Sequence, residues 1–94
     1  MRILWSEEAL DDLEEILAYY HLEASPRTAA AVERRIIGEI ESLPPHPERI
    51  RESDRIPGAR ELVVSKLPYV VFVRVSGDTI IVLNVVHTKR RFPH

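Results

Sequence analysis

The sequence predicts an α+β fold: an N-terminal strand, then an antiparallel helical hairpin packed on a small antiparallel sheet, in the order β-α-α-β-β-β. Three observations predict it. Two stretches in the first half repeat apolar residues at helical spacing between charged ones. Ser25-Pro26 and Pro44-Pro45 bracket the second of these stretches, as a start and a stop. After Gly58 the chain changes to runs of β-branched and aromatic residues broken by a tight turn.

Each element follows in order. Arg2-Ile3-Leu4-Trp5 is a short apolar strand that stops at Ser6, a good N-cap. Glu7, Glu8, Asp11 and Asp12 then favour the positive end of a helix dipole, and Leu10, Leu13, Ile16, Leu17 and Tyr20 recur at helical spacing. The spacing predicts a helix over 6–22. Ser25-Pro26 opens the second helix, whose apolar stripe is Val32, Ile36, Ile37, Ile40 and Leu43. Residues 44–58, rich in proline and charge, read as a surface loop. Arg60 to Leu67 and Tyr69 to Val75 read as strands. Ser76-Gly77-Asp78 is a tight turn, and Thr79 to His87 completes a hairpin. One core is expected between helices and sheet, from Leu13, Ile16, Leu17, Ile36, Ile40, Val71, Val73, Leu83 and Val85.

Composition bounds the function. The 94 residues, 45% hydrophobic and 30% charged, suit a single folded domain over 1–94. No stretch reaches the roughly 18 apolar residues of a membrane span. The opening MRILWSEEAL lacks a signal-peptide core, so the expected location is cytoplasmic, with no membrane partner. With no cysteine, disulfides, thiolate catalysis and Cys-ligated zinc are excluded. The four histidines, His21, His46, His87 and His94, show no metal-ligand spacing, and phosphate-loop, zincin and nucleophile-elbow motifs are lacking. No cofactor is expected.

Two features point outward. Residues 1–44 carry ten acids against four Arg/Lys, and residues 45–94 carry nine Arg/Lys against five acids. The basic half suits a local anionic partner. Both faces of the last two strands are apolar, and two helices cover only one face. The other needs cover from the chain itself or from a partner. The chain closes with Val85-Val86-His87-Thr88-Lys89-Arg90-Arg91-Phe92-Pro93-His94, where a histidine and cations follow a buried strand. Guanidinium groups clamp phosphates and histidine moves protons near neutrality. Arg60 and Arg74 lie on the same sheet. The alternative is a solubilising basic tail.

The order and spacing of SEEALDDLEEILAYY, IIGEIESLPPHPERI and GARELVVSKLPYVVFVRVSGDTIIVLNVVHTKRRF resemble the ParE/RelE superfamily of bacterial type II toxins, over nearly the whole chain. The resemblance implies the fold above with the N-terminal strand at one sheet edge, and a cognate antitoxin whose C-terminal segment wraps the toxin. ParE-like members act on DNA gyrase, whereas RelE-like members cleave mRNA on the ribosome. The closing Val86-His87-x-x-Arg90 is similar to the ParE side. RelE-like ribonucleases usually carry an arginine after the aromatic that opens the third strand. Here Val70 follows Tyr69. The ribonuclease alternative would draw its catalytic set from Arg60, Arg74, His87, Lys89 and Arg90. A third reading is an inactive relative that keeps only antitoxin binding.

Overall fold

A computed structural model describes residues 2–43 and 50–89. Strand β1 is Arg2–Trp5, helix α1 Glu7–Glu23 and helix α2 Pro26–Glu41. Strands β2 (Arg51–Glu52), β3 (Arg60–Val63), β4 (Tyr69–Ser76) and β5 (Thr79–His87) follow. The caps act where the sequence puts them. Ser6 accepts from the Ala9 N–H at 3.0 Å and Ser25 from the Thr28 N–H at 3.1 Å, with Pro26 opening α2. Ala24 and Ser25 alone separate the helices, so they fold back as an antiparallel hairpin.

The strands form one five-stranded sheet in the order β1-β5-β4-β3-β2, with β1 at one edge. The sheet is mixed rather than wholly antiparallel, because β1 pairs with β5 in parallel while the remaining pairs are antiparallel. Nearly the whole chain separates β1 from β5, so no tight turn dictates their direction. The junction with α1 fixes it instead. The Ser6 N–H donates to the Val82 carbonyl at 2.9 Å, and the Ser6 hydroxyl donates to the Leu83 carbonyl at 2.9 Å.

Two boundaries differ from the sequence reading. The segment expected as plain loop contains β2, whose register sets Arg51 opposite Glu61 and Glu52 opposite Arg60. Opposite charges across an antiparallel pair favour that register, and only the fold brings them together. Strand β3 ends at Val63 instead of continuing to Leu67. There the chain turns through Lys66, at φ 66°, and the Leu67 N–H donates to the Val64 carbonyl.

The core lies between the hairpin and one sheet face. Leu13, Val32, Ile36 and Ile40 meet Leu62, Val71, Val73, Ile80, Val82 and Val85, all buried. Ile16 and Leu17 are half-buried against this cluster. Leu83, expected inside, is only half-buried and lies outside the cluster, because β5 carries a bulge there. The second face is buried only at its centre: Ile81, Leu83 and Val86 are half-buried there, and Val63 and Leu4 are exposed. Phe72 and Val70 are buried, and Glu61 beside Phe72 accepts from the Ser53 hydroxyl at 2.7 Å.

Ile36 is fully buried at the centre of the core, so Ile36→Ala should destabilise by about 2–5 kcal/mol. Leu17→Ala, at the half-buried margin, should lose clearly less. Urea unfolding of the two variants checks this ranking, and equal losses would place the core elsewhere.

Candidate functional site

The site begins with backbone arithmetic. The turn at Gly77-Asp78 pairs Ser76 with Thr79, and the register then runs regularly to Val73 opposite Val82. Continued without interruption, it would set Tyr69 opposite Val86. Instead Phe72 pairs with Asn84 and Leu83 is left over, a one-residue bulge in β5. Beyond it the strand's alternation is reversed. Ile80 and Val82 face the helices before the bulge, and Val85 and His87 share the helix-facing rows of Val71 and Tyr69 after it.

Helix α1 secures the irregularity. Strand β1 stops at Trp5, so among the described residues β5 beyond Val82 has no strand neighbour on that side. The Val85 N–H points to this open side and donates to Asp12 Oδ2 at 2.9 Å, and the Asn84 amide approaches the same oxygen at 3.4 Å. Ser6 takes up the Leu83 carbonyl. The groups that a bulge removes from the ladder are thus paired with α1 side chains.

The consequence is a groove of about 660 Å³ between α1 and the end of β5. Asp12, Glu15, Ile16, Tyr19 and Tyr20 line it from α1, and Tyr69, Val85, His87 and Lys89 from the sheet. Tyr69 and His87 are directly opposite each other. The Tyr69 carbonyl accepts from Val64 on the other side, so they form a non-hydrogen-bonded pair with closely approaching side chains. Their rings meet edge to face, with centroids 5.4 Å apart and planes at 86°. The His87 Nδ1 accepts from the Lys89 N–H at 3.1 Å, which leaves Nε2 to carry the proton of the neutral ring. Tyr19 and Tyr20 form a second edge-to-face pair at 5.3 Å. Chemically this is an amphipathic groove with carboxylates on one wall and a cation at the other.

The five residues suggested by sequence are not brought together. His87 and Lys89 share the groove. Arg60 lies on the helix-facing side of β3, where its Nη1 donates to the Ile50 carbonyl at 2.8 Å. Counted along the sheet, Arg60 is four residues and two strands from His87, about 13 Å by about 10 Å. Arg74 lies on the opposite face, in the row of Ile81, with its guanidinium against Gly58. A Cβ at Gly58 would come within 2.6 Å of the Arg74 Nη1, and its φ of +78° also requires glycine. Arg90 falls outside the described residues, as do His46, Phe92 and His94. Among the described residues, no group of three His, Asp or Glu side chains could hold a metal ion, and no helix is long and apolar enough to cross a membrane.

Sequence reasoning read Asp12 only as a helix-dipole acid, Tyr20 as part of an apolar stripe and Tyr69 as a strand opener. No local signal marks Asp12, because its partner Val85 is distant in sequence. Replacing the lock should loosen the groove. Asp12→Ala leaves the Val85 N–H without its acceptor, so we expect a loss of about 1–3 kcal/mol. The Val85 amide should exchange with solvent markedly faster than in the wild type. Unchanged exchange at Val85 would show that Asp12 does not hold the bulge.

Known proteins resemble this chain over nearly its whole length. The sequence matches the family model described as ParE toxin of type II toxin-antitoxin system, parDE, over residues 3–92. The candidate toxin Y4kP of Sinorhizobium fredii (strain NBRC 101917 / NGR234) is 37% identical over 92 residues, spanning 98% of this chain and 93% of that protein. Among solved structures, the chromosomal ParDE toxin–antitoxin system of P. aeruginosa superposes with a TM-score of 0.85. Its sequence identity is 23%, over 95% of this chain and 97% of the other. The toxin–antitoxin complex RelBE2 of Mycobacterium tuberculosis is more distant, with a TM-score of 0.56 and 22% identity over 92% and 88% of the two chains. These two structures share the fold.

Proposed function

The chain belongs to the ParE toxin family of type II toxin–antitoxin systems, and from that premise we propose that it arrests growth by binding DNA gyrase and is neutralised by a cognate antitoxin. The observation that carries this reading is the dispersal of the candidate cations. A ribonuclease needs its proton-transfer group and phosphate clamps around one scissile bond. Here Arg60 is engaged by the Ile50 carbonyl, and Arg74 lies on the far face of the sheet. A gyrase poison needs no such convergence, only a surface. The groove beside His87 supplies one, with tyrosines, carboxylates and Lys89 in its walls.

The antitoxin reading is supported by exposed apolar side chains on α1. Leu10, Tyr19 and Leu22 are 49%, 58% and 82% accessible, and a wrapping segment would shield such residues from water. The two solved structures similar to this chain are a ParDE toxin–antitoxin system and a RelBE2 toxin–antitoxin complex. One specific observation favours messenger RNA cleavage as the second reading: a proton-capable imidazole sits in the groove with a lysine near it.

The two readings separate on one substitution. His87→Gln keeps hydrogen bonding but removes acid–base capacity, which is worth about 10²–10⁴ in rate where it is used. Expressed in cells, the wild type should produce gyrase-dependent DNA breaks and leave messenger RNA uncut, and the variant should retain most of its toxicity. Co-expression of the gene adjacent to the toxin should restore growth. Loss of toxicity together with loss of mRNA cleavage, in a variant that still folds, would establish the ribonuclease instead.

A further inference from the structure

Helix α1 carries seven acids and neither lysine nor arginine. Asp12, Glu15, Ile16, Tyr19 and Tyr20 follow the i, i+3, i+4, i+7, i+8 pattern of one helix face, and all five line the groove. Asp12 is half-buried and already accepts from the Val85 N–H, whereas Glu15 is exposed. Among the described residues neither carboxylate takes part in an ion pair. Against the two of them the lining sets one lysine, Lys89, so a negative charge is left over.

The carboxylates adjoin aromatic surface. Tyr19 and Tyr20 stand edge to face on α1, as Tyr69 and His87 do on the sheet, and the Tyr19 ring is exposed. Ring faces attract cations through their quadrupole. A guanidinium suits both halves of this wall, because it stacks on aromatic rings and donates parallel N–H bonds to a carboxylate. An ammonium is a compact, strongly hydrated charge, which fits the carboxylates but not the rings. An acidic segment would meet Asp12 and Glu15 as like charges. An apolar one would take them out of water without a partner.

We infer that this groove receives an arginine side chain from a segment of a partner protein, with the guanidinium between Glu15 and the tyrosines of α1. The volume of about 660 Å³ holds such a side chain with its flanking backbone. The inference rests on the groove being a contact surface, as proposed above, but not on gyrase being the partner.

The probe is acetyl-Gly-Arg-Gly-amide, whose sole charge is the guanidinium, titrated into the isotope-labelled full chain. Saturable amide shifts should appear at Ile16, Tyr19, Tyr20 and His87 at millimolar peptide. The same peptide with citrulline, which keeps the shape and loses the charge, should give none, and the lysine peptide should bind more weakly. Glu15→Gln, at an exposed position, should keep the wild-type circular dichroism and weaken binding about two- to fivefold. Tyr19→Leu should weaken it by a similar factor, about two- to fivefold. Absent shifts in the groove, equal binding of the citrulline or lysine peptide, or unchanged affinity in Glu15→Gln would overturn the inference. So would shifts centred on Glu7 and Glu8, which would mark general attraction to an acidic helix. Gyrase-dependent DNA breaks caused by a chain that does not bind the peptide would overturn this inference and leave the proposed function standing. Peptide binding without such breaks would do the reverse.

Discussion

The unpaired Leu83 in β5 is the constraint on which the far end of the molecule depends. Before it, Ile80 and Val82 enter the core beneath the helices. After it the phase is reversed, so Val85 enters the core and His87 lies on the helix side, instead of Asn84 and Val86. The reversal would be costly if its displaced backbone groups were left without partners. Asp12 takes the Val85 N–H and Ser6 takes the Leu83 carbonyl, so the first turns of α1 are tied to the sheet at the bulge itself. Ser6 also caps α1, and its N–H extends the β1–β5 ladder. Strand, helix and bulge therefore hold one another in place through a single serine and a single aspartate.

The groove follows from that arrangement. With His87 turned to the helix side, its ring stands against Tyr69 and lines the groove together with Tyr20, Glu15 and Asp12 of α1. Without the extra residue, Val86 would lie opposite Tyr69 and the imidazole would be on the other face. The same sheet sends Arg60 and Arg74 to opposite sides. Among the described residues, the result is an amphipathic groove with Arg60 and Arg74 lying away from it.

Much of this was legible in the residues. The caps at Ser6 and Ser25, the proline at the start of α2 and the apolar stripes defined both helices, because helix signals are local. The hairpin of β4 and β5 was legible for the same reason, from its Gly-Asp turn. The bulge is not. Ile80, Ile81, Val82, Leu83, Val85 and Val86 are all apolar, so either phase satisfies the pattern, and the phase that puts Leu83 in the core is not the one the strand adopts there. Strand β2 was hidden too, since Arg51 and Glu52 are unremarkable until Glu61 and Arg60 stand opposite them. His87 and Lys89 stood out by residue type, whereas Tyr69 and Asp12 acquire their roles only through partners far along the chain.

The register of β4 against β5 can be read directly from the wild-type protein in solution. Non-hydrogen-bonded pairs in antiparallel strands bring their Hα atoms close enough for a strong nuclear Overhauser effect. Beyond the bulge, these contacts should link Val71 with Val85 and Tyr69 with His87, accompanied by ring-to-ring contacts between Tyr69 and His87. Contacts linking Val71 with Asn84 and Tyr69 with Val86 would mean that the hairpin runs without the bulge, and would contradict the account of both the groove and its histidine.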